Sequence, residues 1–296
     1  MLVFTEQQVT VSMGVERLHG TLVRPFRPSS VAVLLWPGSG PVDRDGNLPG
    51  MTNNSYGLLS HGLAEQGLFV LRVDKRGIGS SGPALPNESG LRFQDNVDDA
   101  VAWLDFLGQQ DGVSRLAMIG HSEGALVATM ASRRHPLDRL VLLAGAGQAA
   151  GWLIRRQLAE AGVSSYWQRQ AERILDELEA GRNVARVPAE LLTLLRPSVQ
   201  PYLMSWLSLD PAAELALAPL DALVVQGGSD FQVGAEDAQR LVQARPGNSL
   251  AMIDGMNHVL KDAPAERTAN LLTYNQPDLP LSAGLVPLLA DYLFAK

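Results

Sequence analysis

The stretch Gly120-His121-Ser122-Glu123-Gly124 constrains this chain more than any other. It follows the apolar run Leu116-Ala117-Met118-Ile119 and precedes the helix-like segment 125–130. A strand, a G-x-S-x-G turn and a helix, in that order, lift a serine hydroxyl clear of the backbone. Strand and helix nearly touch at such a turn, so Gly120 and Gly124 must lack side chains. The helix N-terminus behind Ser122 favours negative charge beside it. Ser122 is therefore a candidate nucleophile, and the rest of the chain must supply a base, an acid and oxyanion donors.

The length of 296 residues, 46% of them hydrophobic, suits one large α/β domain or a domain with an insertion. A net charge of −7 without a Lys/Arg-rich run argues against nucleic acid as a partner. The absence of cysteine excludes disulfides, thiolate metal sites and a cysteine nucleophile. The first residues carry neither a basic start nor an apolar core of signal-peptide length, and no apolar run approaches a membrane span. A soluble cytoplasmic protein with no membrane partner is expected; oligomeric state is not readable.

Alternation over residues 7–24 predicts two antiparallel strands joined near Gly14. Apolar runs at Val31–Trp36, Leu68–Val73, Leu140–Gly145 and Leu220–Gln226 predict strands of a buried sheet, and a last strand is expected at 248–253. Helical spacing over 55–66 and 93–108, with helices after the Ser122 turn, at about 234–243 and at the C-terminus, alternates with them. The pattern predicts a mostly parallel eight-stranded sheet covered by helices on both faces. It breaks at 148–215, which holds only helix-like segments and three of the five tryptophans. The expected organisation is a core of residues 1–147 and 216–296 with a helical cap, 148–215, inserted. The cap's aromatics either build its own core or line an apolar substrate pocket.

Of the five histidines, only His135 and His258 follow Ser122, as a base on such a sheet must in the order serine, acid, histidine. His135 precedes Pro136 far from the start of the elbow helix. His258 lies just past the last strand, where a loop can return to the sheet edge, and is the candidate base. Asp230 ends an apolar strand through Gly227-Gly228 at that edge and is the candidate acid, with Asp254 and Asp210 as rivals. Two backbone N–H groups must face the developing oxyanion. The amide of Glu123 is one; Ser39, in Pro37-Gly38-Ser39-Gly40-Pro41, is the candidate for the other. His121 and the Glu123 side chain read as structural neighbours of the turn. Asp74–Gly82 reads as a structural turn, with Arg76 pinning a loop. The Asp43-Arg44-Asp45 cluster is either a solvated loop or a positioning element at the pocket mouth.

Together these motifs resemble the α/β-hydrolase superfamily over nearly the whole chain from Val31, with 148–215 where that family carries its cap. Pro37–Asn47 with Asp74–Ser81 resembles a bacterial branch of serine esterases whose relatives are often labelled dipeptidyl aminopeptidase- or acylaminoacyl-peptidase-like. The resemblance implies a Ser122-His258-Asp230 triad and oxyanion donors at Ser39 and Glu123. It departs from many members in placing Pro37 where they carry His before the oxyanion-loop glycine. The expectation is a serine hydrolase acting on a small-molecule carboxylic ester through an acyl-enzyme, without metal or organic cofactor. An aminopeptidase or amidase, an acyltransferase or a thioesterase would use the same triad. For an aminopeptidase, Glu172, Asp176, Glu177 and Glu179 could anchor a substrate amine or could form a solvated helix face. A non-catalytic ligand-binding protein on the same fold is the reading from another class.

Overall fold

The computed structural model describes residues 3–295. Eight strands form one sheet: β1 (Phe4–Met13), β2 (Glu16–Pro25), β3 (Val31–Trp36), β4 (Phe69–Val73), β5 (Arg115–His121), β6 (Arg139–Leu143), β7 (Ala222–Gly227) and β8 (Ser249–Ile253). Their order across the sheet is β1-β2-β4-β3-β5-β6-β7-β8. The β1/β2 hairpin and the β2/β4 pair are antiparallel, and all other neighbours are parallel. This is the mostly parallel sheet that the apolar runs predict. Gly14 supplies the positive φ of 66° at the hairpin tip.

Between the strands come α1 (Ser55–Glu65), α2 (Phe93–Gly108), α3 (Glu123–Ser132), α4 (Ala150–Glu160), α5 (Ser165–Glu179), α6 (Leu192–Leu195), α7 (Gln200–Trp206), α8 (Pro211–Ala216), α9 (Ala235–Gln243), α10 (Arg267–Leu272) and α11 (Leu285–Phe294). The period-2 alternation of the strands divides the interior into two cores. Val33, Leu35, Val70 and Ile119 face α1 and α11, meeting Leu59, Leu63, Leu289 and Leu293. Leu34, Trp36, Leu71 and Met118 face the other way, onto Trp103 and Leu104 of α2 and Val127 of α3. A strand buried on both sides has little room for polar groups, which is why β3, Leu140–Leu143 of β6 and Ala222–Val225 of β7 read as apolar runs. The edge strands β1 and β8 are half exposed. Helix α10 was not anticipated: its six residues carry no apolar period, and Glu266 caps it by accepting from the amides of Thr268 and Ala269 at 2.8 and 2.7 Å.

The segment between β6 and β7 carries helices α4 to α8 and, among the described residues, no strand, with an irregular stretch over 180–188 between α5 and α6. It has a small apolar core of its own, including Ile154, Leu175, Leu178 and Leu203. Tyr202 of α7 and Leu215 of α8 join the main core beneath it. Among the described residues, no helix is long and apolar enough to cross a membrane.

Candidate active site

The parallel strands all end at one edge, and each candidate group stands on a loop leaving it. The turn after β5 is forced by contact. A Cβ on Gly120 would lie 2.0 Å from the carbonyl oxygen of Gly124, and one on Gly124 would lie 2.6 Å from that of Pro37. Ser122 pays for this closeness with φ 55° and ψ −121°, a conformation that L residues rarely adopt. The strain places Oγ above the sheet edge.

The loop after β8 brings His258 to it. His258 Nε2 lies 3.1 Å from Ser122 Oγ, and Nδ1 lies 2.8 Å from Asp230 Oδ2. Because the carboxylate accepts, Nδ1 carries the proton and Nε2 is free to accept from the serine hydroxyl. The structure thus brings Ser122, His258 and Asp230 together. Asp254 is exposed, and Asp210 caps α8 while pairing with Arg240.

Asp230 is buried, and burial alone would raise its pKa. The charge of His258, its hydrogen bond and the amides of Gln232 and Val233, at 2.8 and 3.1 Å from Oδ1, outweigh that and hold the carboxyl below its ordinary range. Asp230 therefore stays ionised through mildly acidic pH and can stabilise a protonated imidazole. Gln226, the one polar side chain in β7, reaches the other oxygen, Oδ2, at 3.3 Å. The His258 loop is fastened by Asn257, whose side chain donates to Thr273 Oγ1 at 2.7 Å and accepts from the Lys261 amide at 3.2 Å.

Ser39 and Glu123 flank Ser122 from two elements, the loop after β3 and the first turn of α3. Neither amide has a backbone or side-chain acceptor among the described residues. Ser39 lines a cavity of about 200 Å³ with Ser122, His258, Leu48, Met51 and Tyr274. Gly38, beside it, packs so closely that a Cβ would sit 3.1 Å from the Ser122 Cβ.

Sequence reasoning missed how the two loops are joined. The His121 Nε2–H donates to the His258 carbonyl at 2.9 Å, so its Nδ1 must accept, and the Tyr56 hydroxyl donates to it at 2.7 Å. The same hydroxyl accepts from the Gly38 amide at 3.0 Å. A continuous chain of hydrogen bonds therefore runs from the loop after β3 to the loop that carries His258. Burial, helped by the nearby charge of His258, pushes the His121 pKa down to about 3, so the ring is neutral as this chain requires. Tyr56 sits on α1 with no motif around it, and nothing in the sequence distinguishes it from a core tyrosine.

The polar clusters around 43–45 and 74–76 resolve into supports. Asp74 accepts from the Arg44 guanidinium at 2.5 Å, the Arg44 amide at 2.9 Å and the Ser80 amide at 2.9 Å. Breaking such a buried pair costs about 3–5 kcal/mol. Arg72 pairs with Asp45 at 2.8 Å, and Arg76 with buried Asp99 at 2.5 Å. The bonds of Arg44 and Asp45 pin residues 42–47, from which Val42 and Gly46 line the cavity, to the end of β4, while Arg76 ties the loop after β4 to α2. In the helical insertion, Trp206 stacks on Phe93 and lines a small space beside Ser122, whereas Trp152 and Tyr166 are exposed.

Comparison with known proteins agrees with this architecture. Esterase EstD of Thermotoga maritima is 25% identical over 273 residues, 90% of this chain; the chain spans 62% of that protein's length. The structure of Est1E from Butyrivibrio proteoclasticus superimposes with a TM-score of 0.62 at 16% identity, covering 98% of this chain and 99% of the other. Proline iminopeptidase of Mycobacterium smegmatis gives 0.60 at 16% identity, with 97% of each chain covered. These structural likenesses establish the fold. The family of serine aminopeptidases, S33, matches residues 50–263, well over half of the sequence. The chain belongs to that serine aminopeptidase S33 family, and so to the α/β-hydrolase superfamily that its motifs resemble.

Proposed function

We propose that this protein hydrolyses carboxylic esters of short to medium acyl chain. The observation that carries the reading is the Ser122–His258–Asp230 relay, at 3.1 and 2.8 Å, opening onto an apolar cavity whose lining residues include no carboxylate. Ser122 Oγ attacks the ester carbonyl as His258 Nε2 takes its proton, while Asp230 holds the imidazole and balances its charge. The Ser39 and Glu123 amides stabilise the oxyanion. His258 returns the proton to the leaving alcohol, and water, activated by the same imidazole, releases the acid. The cavity, at about 200 Å³, lies below the roughly 300–1,000 Å³ that encloses drug-sized ligands, which favours a small acyl group. Residues 148–215 act in this reading as a cap over the site, with Trp206 and Leu153 among the residues that line a second, smaller space on the other side of Ser122.

The similarity to Esterase EstD supports the ester reading. The S33 family description and the likeness to a proline iminopeptidase favour a second one, cleavage of an aminoacyl bond. An aminopeptidase needs an anchor for the substrate amine. Of the four acidic residues of α5, Asp176 and Glu179 pair with Arg155 and Glu177 pairs with Arg182, and none of the four, Glu172 included, lines the cavity beside Ser122. That favours the ester.

Turnover of p-nitrophenyl esters from acetate to laurate, set against aminoacyl-p-nitroanilides, decides between them. Ester cleavage with an optimum at short or medium chain, lost in Ser122→Ala, is the expected result. Preferential anilide cleavage would replace the ester reading with the peptidase one.

A further inference from the structure

Lys75 is a buried lysine that the relay does not use. It follows β4 in Asp74-Lys75-Arg76, and its Nζ donates to the carbonyl oxygen of Gly38. That carbonyl belongs to the same planar peptide unit as the Ser39 N–H. In a trans peptide the two point in opposite directions, so fixing one aims the other. Gly38 cannot be held by a side chain of its own, since a Cβ there would press on Ser122 at 3.1 Å. Its two backbone polar groups are gripped instead, the N–H by Tyr56 Oη at 3.0 Å and the C=O by Lys75. The next residues, Ser39 and Gly40, are exposed, and Gly40 has a positive φ of 75°, so the next firm hold downstream is the pinned segment 42–47.

We propose that Lys75 is a positioning residue for the oxyanion hole, holding the Gly38–Ser39 peptide so that the Ser39 N–H faces the developing charge. The inference rests on the proposed function, in which that amide is a donor. Polarisation adds to aim: a cationic donor on the carbonyl draws electron density across the amide and strengthens the N–H opposite it. Burial lowers the pKa of Lys75 and the charge of Glu123 raises it again, but an amine donates to the carbonyl in either protonation state. The position is also reachable. Lys75 lines a cavity of about 250 Å³ with Gly40, Pro41, Asn96, Glu123 and Tyr202, separate from the one beside Ser122.

The test compares the parent with Lys75→Met, Lys75→Ala and Ser122→Ala on p-nitrophenyl butyrate. It also measures inhibition by a trifluoromethyl ketone, which adds to the serine as a tetrahedral oxyanion. Lys75→Met keeps the volume and removes the donor. Its kcat should fall about 10- to 100-fold with KM within about twofold, and the ketone should weaken by a factor similar to kcat. Ethylammonium ion, entering the cavity, should restore part of the kcat of Lys75→Ala and none of that of Lys75→Met. A merely structural lysine would not give that split or that rescue. A folded Lys75→Met enzyme with kcat within about threefold of the parent, or a loss confined to KM, would overturn the proposal. Should Lys75→Met fail to fold, Lys75→Ala decides: rescue supports the role and no rescue overturns it. An active Ser122→Ala would remove the hydrolase reading and this proposal together, whereas an inactive one beside a fully active Lys75→Met removes Lys75 alone.

Discussion

At the sheet edge the candidate catalytic groups stand on backbone with no room to yield, while the helices between β6 and β7 are held by contacts that can each be lost singly. Gly120 and Gly124 meet across 2.0 Å for a hypothetical Cβ, Asp230 is locked by two amides and an imidazole, and Gly38 is gripped at both backbone groups. The insertion has its own modest core and a set of arginine–carboxylate pairs. Arg155 holds Asp176 and Glu179 at 2.7 and 2.8 Å, and Arg182 holds Glu177 at 2.6 Å. It is tied to the main body by Arg156 on buried Asp237, at 2.7 Å, and by Arg196 on Glu88. Chemistry that needs sub-ångström placement sits where sterics leave one solution. A proposed cap that only has to cover the site tolerates a looser, graded construction.

This contrast can be broken at its strong end first. Asp230→Asn leaves the shape of the site but removes the charge and disturbs the tautomer of His258. It should lower kcat on the order of 10³- to 10⁴-fold, whereas Asp254→Asn should change it less than about twofold. Steady-state kinetics with the preferred ester check this, and the reverse ranking would transfer the acid's role to Asp254. Next comes Gly120→Ala, whose methyl would collide with backbone that cannot rotate away. Urea unfolding should show a loss above roughly 3 kcal/mol or no folded protein at all. A stable, active Gly120→Ala would mean that the turn has slack. The smallest effect belongs to the insertion: Arg155→Ala, with one partner well exposed, should cost no more than about 1 kcal/mol in the same assay. A loss above about 3 kcal/mol there would erase the difference between the regions.

What could be read in advance follows the same division. The strands were legible because burial on both faces demands continuous apolar runs, and the turn at Ser122 because only glycine fits at 120 and 124. Asp230 and His258 stand out as polar residues at the ends of apolar strands. Tyr56, Lys75 and the tether through His121 were not legible, because their partners are backbone atoms far away in the chain. A Gly38 carbonyl or a His258 carbonyl looks like any other in a sequence. Gln226 left a faint trace as the one polar residue in an apolar strand, now explained by its reach to Asp230. In the insertion, the aromatics divided between stacking inward, as Trp206 does on Phe93, and lying exposed, as Trp152 does beneath the Arg156 guanidinium. Residue type alone could not separate the two.

The central claim is that Ser122 is a nucleophile activated by His258. The most direct measurement is reaction with a fluorophosphonate, with the adduct located by peptide mass spectrometry and its rate compared in the parent, Ser122→Ala and His258→Ala. A single stoichiometric adduct on Ser122, absent in Ser122→Ala and formed at least about 100-fold more slowly in His258→Ala, is the predicted result. Labelling on another residue, or labelling of Ser122 at an unchanged rate without His258, would contradict the account.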